Sequence, residues 1–147
     1  MRPPWAVVDT NVVVAGLLTR KPTSPTARIL DTMLEGRLSF LLSVPLLAEY
    51  GSVLLRPRIC ALHRLDEEAV DRILEDLARN GALREPQAVD LASAVPLPGG
   101  RDDQHLWELL ACERDAVLVT GDRQLLGSPP GWASVVKPAA WMTKWSG

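Results

Sequence analysis

The sequence contains little cysteine, few aromatic residues and no long apolar run. Of its 147 residues, 2 are cysteines, and aromatic side chains make up 5%. No apolar run approaches the roughly 20 residues that a membrane-spanning helix needs, and the first residues lead into a short strand-like run rather than a secretory leader. Cys60 and Cys112 lie far apart and fit no metal-binding or redox spacing, so we expect two buried free thiols in a cytoplasmic protein.

The chain also lacks an excess of charge of either sign. It has 16 basic and 18 acidic side chains, for a formal net charge of −2. This excludes the general basic surface of a protein that binds nucleic acid through charge alone. It does not exclude an enzyme that acts on nucleic acid, because a carboxylate cluster that holds metal makes a protein look acidic. No glycine-rich phosphate loop and no serine nucleophile elbow is present, which disfavours a dinucleotide-binding module and a serine hydrolase.

Apolar residues, by contrast, are spread over the whole chain and make up 47% of it. This suits one domain, which we expect to span residues 1–147. Apolar runs alternate with segments of helical periodicity, which predicts an α/β sandwich with a central parallel sheet flanked by helices. The predicted strands are 5–8, 38–42, 116–119 and 134–136, and the predicted helices are 24–35, 43–56, 66–80, 102–113 and 138–144, with a loop at 84–100 and a turn at 120–122.

Carboxylates fall at positions that a parallel sheet brings to one edge. Asp9 directly follows the first predicted strand, and Asp122 follows the strand 116–119. Asp102 and Asp103 begin the helix before that strand, and Glu49 lies in the helix after the second strand. Ligands of open α/β sheets bind at the carboxyl ends of the strands. Four separate segments are therefore able to deliver a carboxylate to one pocket.

Such a cluster favours a hard divalent cation. Two like charges about 4 Å apart repel by roughly 4 kcal/mol at an effective dielectric of 20. Mg²⁺ and Mn²⁺ relieve this repulsion and are able to activate water for phosphodiester cleavage. A phosphohydrolase of the haloacid-dehalogenase type would need a second Asp two residues after Asp9, where the chain has Asn11. His63 and His105 suggest no zinc site, and we expect structural or surface roles for both.

Four segments together resemble the motifs of PIN domains, and most closely the VapC-like toxin components of bacterial toxin–antitoxin pairs. The segments are VVDTNV at 7–12, SVPLLAEY at 43–50 continuing to VLLRPR at 53–58, DDQHLW at 102–107 and LVTGDRQLL at 118–126. The resemblance covers nearly the whole chain. It implies a Rossmann-like PIN sandwich, a Mg²⁺- or Mn²⁺-dependent endoribonuclease that cleaves single-stranded RNA, a homodimer and a cognate antitoxin.

The resemblance also assigns the site residues. It makes Asp9, Glu49, Asp103 and Asp122 the catalytic, metal-holding carboxylates. Asn11 and Thr120 would orient these carboxylates through hydrogen bonds. The third motif departs from the usual family pattern, so Asp102 remains an alternative to Asp103, although a helix cap is the expected role of Asp102.

Two further features leave alternatives open. Four basic residues adjoin the motif segments, namely Arg20, Lys21, Arg101 and Arg123. They would either form a rim that contacts the RNA backbone or be ordinary solvated side chains. The C-terminal tryptophans 132, 141 and 145 either pack the last helix onto the sheet or form an apolar surface for a second subunit or an antitoxin. A PIN-like module that binds RNA or an antitoxin without cutting is the alternative function.

Overall fold

The computed structural model, which describes residues 2–86, 100–127 and 129–145, contains a central parallel β-sheet. Strands β1, β4 and β5 pair in parallel, as do β2 and β3. A parallel bridge between Ala6 and Phe40 joins the two groups, which gives the strand order β3-β2-β1-β4-β5. The strands are β1 (Ala6–Val8), β2 (Leu41–Leu42), β3 (Ala82–Leu83), β4 (Val117–Val119) and β5 (Ser134–Val136).

Helices flank this sheet, as the sequence predicts. They are α1 (Thr10–Leu18), α2 (Pro25–Leu34), α3 (Val44–Leu54), α4 (Pro57–His63), α5 (Glu67–Asn80), α6 (Gln104–Leu110), α7 (Arg123–Gly127) and α8 (Pro138–Trp145). Helix α1 packs against α2, α3 and α4, whereas α6 packs against β1 and β4. Within the described ranges, no helix is long and apolar enough to cross a membrane.

Capping side chains explain where three of the helices begin. Ser24, Ser43 and Asp66 each accept a hydrogen bond from the backbone amide three residues later. Pro25 and Pro45 stand in the first turns of α2 and α3, where a missing amide hydrogen costs nothing. These helices were predicted to begin at the same residues, and the predicted stop at Gly81 is also confirmed.

Four elements of the structure were not predicted: α1, α4, α7 and β3. Helix α1 follows Asp9 directly and contains the β-branched run Val12–Val14, which favours strand by propensity; the packing of α1 on α2 and α3 overrides that preference. Pro57 was expected only to end a helix, yet it also occupies the first turn of α4. Strand β3 and helix α7 are two and five residues long, too short for a periodic signal.

The structure differs from two expectations about the third motif, and it describes only part of the predicted loop 84–100. The helix predicted at 102–113 is a 3-10 turn, Gly100–Asp103, followed by the shorter α6. The residue at the N-cap of α6 is Asp103, so the capping role expected of Asp102 is wrong. Residues 87–99 of the predicted loop 84–100 lie outside the described residues.

The core lies between the sheet and the helices. Strand β1 is fully buried, and Phe40, Tyr50 and Trp107 are the largest side chains with no exposed surface. The hydroxyl of Tyr50 donates a hydrogen bond to the carbonyl of Val8 at 2.5 Å, which fixes α3 to the end of β1. His63 has a structural role, because its ring bonds the carbonyl of Leu54 and accepts from the amide of Leu65.

The C-terminal tryptophans and the cysteines differ from one another in burial. Trp141 is buried and contacts Trp145, so packing explains it, whereas Trp132 is half exposed beside Trp107. The expectation that both thiols are buried is wrong: Cys60 is half-buried and Cys112 is exposed. Cys112 lies in the turn after α6, beyond the helix face that packs on the sheet.

The first prediction concerns the close approach of α5 to the sheet. A Cβ added at Gly81 would lie 2.6 Å from Phe40 and 2.7 Å from Leu42, both in the core. Gly81→Ala should therefore lower the free energy of unfolding by about 1–3 kcal/mol, the usual cost of overpacking. Urea denaturation measures this change.

Gly131→Ala is the matched control, because nothing lies within 4 Å of the added carbon. Its free energy of unfolding should stay within about 0.5 kcal/mol of wild type. Equal destabilisation by both substitutions would contradict the steric explanation.

Candidate functional site

Asp9 is a buried carboxylate held at the junction of two strands and a helix. It follows β1 and is 5% exposed. Its Oδ1 accepts from the amide of Thr10 at 2.8 Å, and its Oδ2 accepts from Asn11 Nδ2 at 3.0 Å and from Thr120 Oγ1 at 2.8 Å. An ionised carboxylate accepts all three bonds, and they offset part of the cost of burying its charge.

Asn11 and Thr120 connect this carboxylate to the end of β4. The Oδ1 of Asn11 accepts from the amide of Gly121 at 3.0 Å, and Thr120 Oγ1 accepts from the amide of Asp122 at 3.0 Å. Thr120 has no exposed surface. The network sets the position of the Asp122 segment relative to Asp9. Both residues thus make contacts of the kind that the resemblance implies for them.

Glu49 lies on α3, which Tyr50 fixes to β1. The Oε2 atom of Glu49 accepts a short hydrogen bond from the hydroxyl of Thr10, the residue after Asp9. Its Oε1 lies 3.8 Å from His105 Nε2. Within the described part of the chain, the buried Nδ1 of His105 has no hydrogen-bond partner. The contact of His105 with Glu49 was not predicted, and only the position of His105 two residues after Asp103 could have indicated it.

The other two carboxylates come from segments that precede and follow β4. Asp103 ends the 3-10 turn, and its side chain makes no capping bond to α6. Asp122 Oδ1 accepts from the amide of Gln124 at 2.8 Å, at the start of α7. Asp102 is exposed and does not line the cavity that Asp103 faces. Of the two alternatives in the third motif, Asp103 is the residue that the structure brings to the other carboxylates.

One open cavity of about 480 Å³ gathers the four carboxylates. A larger depression of about 710 Å³ includes Glu113 and Asp115, but Arg114 and Lys144 line it as well. The acidic cavity has no such balance of charge. Its lining consists of Asp9, Thr10, Asn11, Val14, Ala15, Leu18, Glu49, Val53, Arg56, Asp103 and Asp122.

Burial and mutual repulsion raise the pKa of two of these carboxyls. Burial raises the pKa of Asp9, hydrogen bonds from Thr120 and Thr10 oppose the rise, and the charges of Glu49 and Asp122 add to it. Burial, followed by the charges of the neighbouring carboxylates, raises the pKa of Asp103 to about 6. Among the described side chains, no basic one contributes to either shift. The described lining of the cavity, with four carboxylates and one arginine, thus has an excess of negative charge.

The donor set fits a hard divalent cation by its chemistry. Carboxylate oxygens are the ligands that Mg²⁺ and Mn²⁺ prefer, and a cation would relieve the repulsion that raises these pKa values. The arrangement does not close around an ion as it stands. Within residues 2–86, 100–127 and 129–145, no three Asp, Glu, His or Cys side chains are grouped closely enough to share one metal.

The basic residues around the cavity differ from the expected rim. Arg20, Lys21 and Arg123 are exposed and do not line it, and the side chain of Arg101 lies outside the described part. Arg56 is the basic residue in the lining, and sequence reasoning missed it. The spacing offered a signal: Arg56 follows Glu49 by seven residues, which is close to two helical turns.

Comparisons with known proteins identify a family model and a similar fold. Residues 6–124 match a family model described as PIN domain. The structure is similar to a crystal structure of VapBC2 from Rickettsia felis bound to a DNA fragment from their promoter, with a TM-score of 0.53 and 13% sequence identity over 90% of this chain and 97% of that one. This likeness concerns the fold. No curated protein matches the sequence.

The second prediction concerns the titration of Asp103 in metal-free protein. Its pKa is about 6 in the folded state against an ordinary value of 3.8. The folded protein keeps this proton where the unfolded chain has lost it, so the free energy of unfolding should fall as pH rises through that interval. Asp103→Asn should remove this part of the fall and should melt higher than wild type in EDTA at neutral pH.

Asp71→Asn is the control, because Asp71 is exposed on α5, away from the cavity. Its melting temperature should depend on pH as that of wild type does. An Asp103→Asn protein that melts lower than wild type at neutral pH would instead make Asp103 a structural turn residue.

Proposed function

Because the chain belongs to the PIN-domain family, we propose that it is a metal-dependent endoribonuclease that cleaves single-stranded RNA. One observation supports this above the others: four carboxylates from four segments line one open cavity, and no basic side chain among the described residues offsets the charges of Asp9 and Asp103. An acidic cavity repels RNA unless cations neutralise it. The proposed substrate therefore requires the proposed metal.

Each of the four carboxylates has a place in the proposed mechanism. Asp9, Glu49, Asp103 and Asp122 would hold Mg²⁺ or Mn²⁺, which when bound supplies an activated water and stabilises the displaced oxygen of the phosphodiester. Hydrogen bonds from Thr10, Asn11 and Thr120 keep Asp9 oriented and favour its ionised form. Thr10 also orients Glu49 through its hydroxyl. The chain needs no side chain as nucleophile.

We further propose that the protein is the toxin of a toxin–antitoxin pair, with a cognate antitoxin as partner and a homodimer as its assembly. The resemblance of the four motif segments to VapC-like toxins supports this, and the name of the VapBC2 structure agrees with it. Large apolar side chains on the surface offer contact area: Val44 and Leu62 are 65% and 66% exposed.

The third prediction tests the chemistry. Purified protein should cleave single-stranded RNA in Mg²⁺ or Mn²⁺ and should lose this activity in EDTA. Asp9→Asn should reduce cleavage at least about a hundredfold, because it removes a buried ligand charge and perturbs its hydrogen-bond network. Gel analysis of a labelled oligonucleotide measures the rate, and Asp71→Asn should cleave as wild type does.

The alternative is a PIN-domain protein that binds RNA or an antitoxin without cutting. Its signature would be RNA binding by wild type and no metal-dependent cleavage. Cleavage that persists unchanged in EDTA and in Asp9→Asn would contradict the metal mechanism itself and would point to a contaminating nuclease.

A further inference from the structure

Arg56 lies at the rim of the acidic cavity, between α3 and α4. Glu49 lies on α3, and Arg56 follows the last residue of that helix by two positions. Val53 lies between them in sequence and also lines the cavity. The same stretch of chain thus contributes a carboxylate to the cavity and, farther along, a guanidinium.

The charge of Arg56 has no partner among the residues that the structure describes. Within the described residues, its side chain makes no ion pair and no hydrogen bond, whereas Arg37, Arg72 and Arg84 each pair with a glutamate. Although four carboxylates line the same cavity, none lies within ion-pair distance of Arg56. Its positive charge is therefore free to bind an anion from solution.

Backbone contacts hold Arg56 in place while its side chain remains exposed. Its amide donates to the carbonyl of Val53 at 3.1 Å, and its carbonyl accepts from the amides of Ile59 and Cys60 at 2.9 and 2.8 Å. Pro57 restricts its conformation further. The backbone at Arg56 is thus fixed, so a contact made by its guanidinium orders the side chain alone.

Part of the remaining lining of the cavity is apolar. Val14, Ala15 and Leu18 of α1 and Val53 of α3 form this wall, which we call the α1–α3 wall. The cavity therefore combines three surfaces: carboxylates suited to a metal-bound phosphate, an apolar wall and one unpaired arginine. A nucleotide strand has the complementary sequence of groups, namely phosphate, nucleoside and phosphate.

We propose that Arg56 binds a backbone phosphate next to the scissile phosphate of the RNA, with the intervening nucleoside against the α1–α3 wall. This rests on the proposed function and adds a specific substrate contact to it. Arginine suits the task because its planar fork contacts two phosphate oxygens at once. The contact recognises the backbone and selects no base.

The fourth prediction tests this contact through binding, independently of cleavage. Asp9→Asn protein in Mg²⁺ and a fluorescent single-stranded oligoribonucleotide are titrated by anisotropy at several salt concentrations. Adding Arg56→Ala should weaken binding about tenfold, as the loss of a charge-assisted contact does. It should also reduce the salt slope, log Kd against log [salt], by about 0.7, the value for one phosphate contact on a single strand.

Two further variants distinguish the contact made by Arg56 from a general effect of positive charge on RNA binding. Arg58→Ala removes an exposed arginine of α4, two residues after Arg56, that does not line the cavity, and it should leave the affinity nearly unchanged. Arg56→Lys should keep the salt slope but recover only part of the affinity, because a lysine cannot make the paired contact.

A neutral methylphosphonate, placed in turn at each phosphate flanking the cleavage site, identifies the partner. At one position it should weaken binding to the Arg56-containing protein by the same factor as Arg56→Ala and cause no further loss in Arg56→Ala. Equal methylphosphonate effects in both proteins at every position would overturn the proposal, as would equal affinities of Arg56→Ala and Arg58→Ala.

Failure of this contact and failure of the proposed function give different results. If wild type cleaves RNA with metal and Arg56→Ala binds as tightly as Arg58→Ala, only the role of Arg56 is overturned. If no variant binds RNA and wild type does not cleave, both fail together. Loss of binding to a co-purified protein partner alone, with RNA affinity intact, would assign Arg56 to a protein interface and would also overturn the proposal.

Discussion

The arrangement of the site depends on one buried carboxylate, that of Asp9. Its three hydrogen bonds come from the first turn of α1 and from Thr120, the residue that follows β4. A buried ionised carboxylate without such partners would be too costly to keep. These bonds therefore tie the position of α1 to that of β4. The register of the two strands, with Val8 opposite Val119, brings Asp9 and Thr120 together at the same edge.

Much of the fold could be predicted from the sequence, because the signals of its strands and of its helices are local. Short buried strands and capped amphipathic helices carry their own pattern, and Ser24, Ser43 and Asp66 begin the helices that were expected of them. Parallel strands then bring their carboxyl ends to one edge. That rule predicts that Asp9 and Asp122 lie at the same edge, and both line the cavity.

What could not be predicted depended on contacts between distant segments. Helix α1 forms despite β-branched residues because α2 and α3 pack against it. The contact of His105 with Glu49 and the lining position of Arg56 depend on how α6 and α1 pack against α3. Arg20 and Lys21 are near the first motif in sequence, but the length of α1 separates them from Asp9. Proximity in sequence to the motif segments therefore did not predict which basic residue lines the cavity.

Two neighbouring residues of helix α3 have different roles: Tyr50 stabilises the fold, and Glu49 belongs to the candidate site. Tyr50 is fully buried and bonded to Val8, so it fixes the helix to the sheet. Glu49, its neighbour in sequence, points to the cavity, because adjacent residues on a helix lie about 100° apart. The packing of Tyr50 thus fixes the backbone from which Glu49 reaches the cavity. The charges of the cavity oppose one another in the metal-free protein, and the apolar core beneath α3 holds them together. A stable fold at this edge is therefore a condition for the site, since the carboxylates by themselves would move apart.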